Sequence, residues 1–122
     1  MEPAIKDIQS QIISCCDCPR LVSFRSQIAE KKRKSFMDWD YWGKPVPGYG
    51  DPKSKLLILG LAPAAHGGNR TGRVFTGDKS ADFLFKCLSA VGLSNQAESV
   101  SRDDGLRISG YMTVAVKCVP PG

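Results

Sequence analysis

The residues best suited to chemistry sit in one stretch, Gly60-Leu61-Ala62-Pro63-Ala64-Ala65-His66-Gly67-Gly68-Asn69-Arg70-Thr71-Gly72-Arg73-Val74-Phe75-Thr76-Gly77-Asp78. Its glycines let backbone N–H groups come close to a ligand. Asn69, Arg70 and Thr71 offer hydrogen-bond donors, Phe75 a stacking face and Asp78 a carboxylate. Gly-x-Gly-x-x-Gly and the Gly-Lys-Ser/Thr of a P-loop are both absent, so it is neither of those phosphate-binding signatures. By spacing it is a small-ligand loop, with a long structural connection as the alternative. His66 is the single histidine of the chain. An ordinary imidazole, with a pKa near about 6.5, could donate to a base or a phosphate, although lone histidines more often serve structure. Asp78 also stands ahead of a helical pattern, where its carboxylate would act as an N-cap.

Cysteine and charge point the same way. The five cysteines are Cys15, Cys16, Cys18, Cys87 and Cys118. Cys15 and Cys18 form a Cys-x-x-Cys pair, which reads as metal or redox chemistry in a chain with no visible signal peptide. Cys87 lies among apolar neighbours and is expected to be a small buried hydrophobe. Seventeen Lys and Arg against twelve Asp and Glu give a net charge of +5, which favours an anionic partner. A hydrophobic share of 42% excludes a disordered chain. No run reaches the roughly 18–20 apolar residues of a membrane span. A cytosolic, monomeric protein with no membrane partner is expected.

The elements that must position these residues follow from periodicity. Ile5, Ile8, Ile12 and Ile13 recur at helical spacing over residues 3–14. Pro19 suits the first turn of a second helix carrying Leu21, Phe24 and Ile28. That helix runs into Lys31-Lys32-Arg33-Lys34, which either complements the helix dipole or contacts phosphates. Residues 36–54 are rich in Pro, Gly and aromatics and read as a loop. The apolar run 55–61 predicts a strand buried on both faces, as in a parallel sheet. Asp78 and Ser80 are candidate N-caps for a helix bearing Phe83, Leu84, Leu88 and Val91, stopped by Gly92. Residues 94–107 are polar and turn-rich, and residues 111–116 predict a second strand. Residues 1–122 thus form part of one α/β domain, a βαβ unit preceded by helices, with the loop at the carboxyl end of a strand where open α/β sheets bind ligands. Such a sheet would keep an unpaired edge, and the sequence reads as cut off in mid-fold after its second strand.

The loop resembles motif one of the family 5 uracil-DNA glycosylases, close to the iron–sulfur family 4 of the same superfamily. Cys15-Cys16-Asp17-Cys18-Pro19-Arg20-Leu21 is similar to the family's Cys-x-x-Cys-Pro-Arg-Leu, and residues 41–52 resemble its connector. Residues 114–122 resemble the segment that holds its third cluster cysteine. The resemblance covers essentially the whole chain.

It implies a three-layer α/β/α fold with a central parallel sheet and an enzyme that hydrolyses the N-glycosidic bond of uracil in DNA, in base-excision repair. Phe75 matches the residue that stacks on uracil, the backbone of Gly60, Leu61 and Ala62 would meet the base edge, and Asp78 matches the catalytic acid. Phe75 as a core residue and Asp78 as a cap remain the alternatives. His66 would donate to the base or a phosphate, and Asn69 and Arg70 would hold the loop or touch the DNA backbone. The resemblance further implies a [4Fe–4S] cluster on Cys15, Cys18 and Cys118, one short of the usual four thiolates, with Cys16 a weak substitute and zinc the competing metal. Val114 stands where family 4 relatives carry an Asn that reads the base, which implies looser discrimination that extends to deaminated purines. The family's second motif, with its histidine and DNA-intercalating loop, is absent from these residues. The alternative function is a non-catalytic nucleic-acid-binding or metal–sulfur module.

Overall fold

The computed structural model describes residues 3–121. Two helices open the chain, α1 (Pro3–Ile13) and α2 (Pro19–Lys31), followed by a 3-10 turn at Lys34–Phe36. Pro19 sits in the first turn of α2, where its missing N–H has no intrahelical acceptor to lose. The helix ends at Lys32, whose φ of 60° breaks the repeat inside the basic run.

Three strands follow: β1 (Tyr49–Gly50), β2 (Leu57–Gly60) and, later, β3 (Tyr111–Val114). The sheet order is β1-β3-β2, with β2 parallel and β1 antiparallel to β3. The sheet is therefore mixed rather than wholly parallel, because the connector read as loop contributes a two-residue strand. Nothing in its composition announces it. Gly48 and Gly50 let the connector close on β3, since a Cβ on Gly48 would strike the Tyr111 ring and one on Gly50 the Gly110 carbonyl.

The core gathers Val46, Val74, Phe85, Leu88, Leu106, Met112 and Val114. Met112 and Val114 alternate along β3 and so face one side, against α4 (Lys79–Ala90), which supplies Phe85 and Leu88. On the other side Gln9 of α1 donates to the Tyr111 hydroxyl and to the Gly48 carbonyl. The expectation that β2 is buried on both faces does not hold: Leu57 and Leu59 are 60% and 62% exposed. They share a face with Tyr111 and Thr113 by register, and β2 is an edge strand, so nothing described covers them.

Helix α4 has the predicted ends, with Asp78 as N-cap and Gly92 just beyond its C-cap at φ 77°. Its buried stripe is Ala81, Phe85 and Leu88, not Phe83 and Val91, which are exposed. At 3.6 residues per turn, Phe83 lies about 200° around the helix from Phe85. Cys87 is exposed for the same reason, correcting its expected burial, since it lies one position off the stripe. Among the described residues no helix is long and apolar enough to cross a membrane.

Candidate nucleic-acid-processing site

The loop leaving β2 is tied to the sheet at its first residues. The Gly60 and Leu61 carbonyls accept from the Ala115 and Val116 N–H groups, continuing the β2–β3 ladder. Of the backbone expected to meet a base edge, Gly60 to Ala62, two carbonyls are thus already engaged in the sheet. Leu61 is exposed and Ala62 half-buried. Phe75 adopts φ 50°, and its ring lies over Gly60, where a Cβ would meet its Cζ at 2.6 Å. The ring is half-buried and packs against the core.

Between these points the chain makes a short helix, α3 (Gly68–Thr71), which the sequence reading treats as loop. Its carbonyls hold the aromatic connector, since Trp42 and Gly43 donate to the Arg70 and Asn69 carbonyls. Arg70 is buried, with its guanidinium 3.8 Å from the Phe36 ring centre and 4.1 Å from that of Trp39. Its Nε donates to the His66 carbonyl at 2.5 Å and its Nη2 to the Gly77 carbonyl at 2.8 Å. Arg70 therefore straps the two ends of the loop together, a structural duty in place of an outward contact. Asn69 is 1% exposed, and neither its amide oxygen nor its nitrogen has a hydrogen-bond partner among the described residues.

The strap frames a cleft of about 450 Å³ bordered by Arg33, Phe36, His66, Gly67, Asp78 and Lys79. Within it Asp78 resolves the choice between cap and reactive carboxylate by dividing its oxygens. Oδ1 accepts from the Ala81 N–H at 2.8 Å and caps α4. Oδ2 has no hydrogen-bond partner among the described residues and lies against Gly67, where any Cβ would collide with it. The glycine at 67 thus makes room for a carboxylate rather than for a ligand's phosphate. His66 places Nδ1 2.7 Å from the Tyr41 hydroxyl. Burial, then the charges of Arg33 and Arg70, hold its pKa below the ordinary imidazole value and so favour the uncharged ring.

Of the sequence-predicted residues, the structure brings His66 and Asp78 to this cleft. It places Phe75 and Gly60 at the strand end outside its lining, and Asn69 and Arg70 inside the body. Tyr41 and Gly67 line or support this cleft without having been singled out in the sequence, although the Gly67-Gly68 pair carried the signal of a close approach. Arg33 comes from the basic run 31–34, whose phosphate-contacting alternative is the one its place at the cleft favours. A larger cleft of about 640 Å³ lies on the β1 side, lined by Trp42, Tyr49, Arg73 and Arg102 among others, and holds none of the predicted site residues.

The cysteines gather only in part. Cys118 is buried, and its sulfur accepts from Arg25 Nη1 at 3.2 Å. The same guanidinium touches the Cys15 carbonyl and the Cys16 sulfur. Cys18 is exposed, and among the described residues no three His, Cys, Asp or Glu side chains converge to hold a metal. Arg25 is 6% exposed, its Nε has no partner and no carboxylate neutralises it among the described ion pairs, so its surroundings suit an anionic thiolate centre. In charge the site fits such a group; the ligand set is incomplete.

The chain is 54% identical over 116 residues to a type-5 uracil-DNA glycosylase of Pyrobaculum aerophilum, covering 94% of this chain and 50% of that protein. It is 52% identical over 120 residues to a protein of the same description from Mycobacterium tuberculosis, covering 98% and 45%. For that of Thermus thermophilus the identity is 51% over 111 residues, covering 90% and 50%. The chain spans about half the length of the curated relatives it matches. Residues 47–122, which hold the sheet, the loop and α4, match the family model of the Uracil DNA glycosylase superfamily, and the chain belongs to that superfamily.

Proposed function

We propose that this protein hydrolyses the N-glycosidic bond of uracil in DNA, with Asp78 as its reacting carboxylate. The observation that carries this reading is Oδ2 of Asp78, which has no hydrogen-bond partner among the described residues while Oδ1 caps α4, and which shares a cleft with His66, Arg33 and Lys79. The target bond is out of reach in a stacked duplex, so the nucleotide must swing out before it can react. Arg33 and Lys79 at the rim attract the flanking phosphates. Phe75, half-buried at the strand end outside the cleft's lining, would stack on the base where the extruded nucleotide reaches that strand end, a contact worth about 1–3 kcal/mol. As the bond breaks, positive charge gathers on the sugar and negative charge on the base. Oδ2 stabilises the former or orients the attacking water, and donors on the loop stabilise the latter.

Val114 is buried in the core and brings no polar side chain to the base edge, which supports a wider acceptance of deaminated bases. Cys15, Cys18 and Cys118 would hold an iron–sulfur cluster, which supplies a structural link between the N-terminal helices and the end of β3. Residues 1–122 would then be part of one such domain, with the three-stranded sheet as the middle of a three-layer α/β/α arrangement.

A labelled oligonucleotide with one uracil, treated with the protein and then alkali, is expected to break at the uracil and nowhere else. Binding without a break would reject catalysis in favour of a binding module. Gly67→Ala is expected to lower the rate of uracil release about 10-fold or more, because the new methyl pushes Oδ2 from its place. The same substitution strains the capping bond, whose full loss is worth about 1 kcal/mol, so the melting temperature should fall only slightly. An unchanged release rate would show that the position of Oδ2 is immaterial.

A further inference from the structure

We propose that Tyr41 fixes His66 in the tautomer that carries its proton on Nε2, making His66 a neutral hydrogen-bond donor to a substrate oxygen in the Asp78 cleft. The number of protons available to the three groups decides between the tautomers. The Tyr41 oxygen lies 2.7 Å from His66 Nδ1 and accepts from the Arg33 backbone N–H at 3.2 Å. A phenol has one proton to give and lone pairs to receive. With Arg33 as its donor, the hydroxyl satisfies every group by giving its own proton to Nδ1. In the opposite arrangement Nδ1–H and the Arg33 N–H would both point at one oxygen, and the phenolic proton would have no acceptor among the described residues.

The doubly protonated ring is disfavoured independently. Burial raises the cost of imidazolium, Arg33 and Arg70 add to it, and the carboxylates at the cleft, Asp78 and Asp82, do not reverse the shift. With Nδ1 accepting, the single ring proton resides on Nε2, which has no hydrogen-bond partner among the described residues. The two rings meet edge to face at 5.7 Å, so the contact also sets the plane in which Nε2 points.

The ligand chemistry is an oxygen acceptor bearing partial or full negative charge. A carbonyl of the departing base and a flanking phosphate both qualify. This role for the donor rests on the proposed glycosylase reading, whereas the tautomer does not. Tyr41 is a positioning residue, acting through His66.

Imidazole ¹⁵N spectra of the protein near pH 7 are expected to show Nδ1 unprotonated and Nε2 protonated. Tyr41→Phe, which keeps the ring and removes the hydroxyl, is expected to mix the two tautomers. A wild-type Nδ1–H signal, or an unchanged tautomer in the variant, would overturn the proposal whether or not uracil is released. In turnover, Tyr41→Phe should lose about three- to tenfold, the worth of one neutral hydrogen bond. A loss in kcat assigns the acceptor to the departing base, and a rise in KM assigns it to the phosphate. His66→Gln retains a side-chain N–H at comparable reach and should outperform His66→Leu; equal activity of the two would remove the donor role. A wild-type protein inactive on uracil but with the Nε2–H tautomer would sink the glycosylase reading and leave the tautomer standing.

Discussion

Asp78→Asn is expected to reduce uracil release by about 10²- to 10³-fold, the range seen when one preorganised electrostatic group is removed from a developing charge. The same substitution should leave the melting temperature nearly unchanged. The reason is the division of labour between the two oxygens. Asn caps a helix as well as Asp, because its side-chain oxygen can accept the Ala81 N–H in the position of Oδ1. The other end of the amide is a neutral NH₂ group in the place of a negative oxygen, and it can neither stabilise a sugar cation nor accept a proton from water. Asp78→Ala supplies the contrast, losing both roles and about 1 kcal/mol of stability with the cap. Single-turnover rates on a uracil oligonucleotide, read beside thermal melts, separate the two. Full activity of Asp78→Asn would reassign the residue to capping alone.

The second large effect is on stability. Asp104→Ala is expected to destabilise the fold by about 3–5 kcal/mol, the cost of leaving a buried charge without its partner. Arg73 is 2% exposed, and its Nη2 reaches both oxygens of Asp104 at 3.0 and 2.9 Å and the Ser99 hydroxyl at 2.8 Å. Its Nε donates to Thr76, while Nη1 has no partner, so little remains to satisfy the cation once the carboxylate is gone. The Val100 and Leu106 N–H groups also converge on Asp104, so its carboxylate organises the turn-rich segment that closes over the loop.

The pH dependence has a definite sign. Burial alone would raise the Asp104 pKa, but the Val100 and Leu106 N–H groups, with the Arg73 guanidinium, outweigh it and hold the carboxyl below its ordinary range. A lowered folded-state value means that this stability is complete above the unfolded pKa of about 3.9 and is lost as the pH falls through the folded value. Urea midpoints should therefore drop on acidification below about pH 4, more steeply in the wild type than in Asp104→Ala. An acid limb of equal slope in both proteins would show that the pair is not the source.

Much of this was legible in the order of residues. Pro19, Asp78 and Gly92 mark helix ends because capping and φ preferences act within a few residues, and the helices start and stop where those signals stand. The parallel pairing of β2 with β3 follows from a short apolar run, a helix and a second run. The loop with His66 and Asp78 could be identified by residue type alone. Local spacing was less reliable for direction: it placed Phe83 and Cys87 toward the core, and both face outward.

The long-range contacts are a different matter. His66 meets Tyr41 across 25 positions, Arg73 meets Asp104 across 31, and Arg25 meets Cys118 across 93. Sequence alone supplied the chemical groups and the boundaries of the segments that carry them, because backbone preference and hydrophobic period are short-range properties. Closure of the chain assigned the partners: which oxygen of Asp78 caps and which faces the cleft, which nitrogen of His66 is occupied, and that Arg70 turns inward. Those outcomes depend on which polar groups are buried together and must satisfy one another, a condition imposed only once distant segments share the same space.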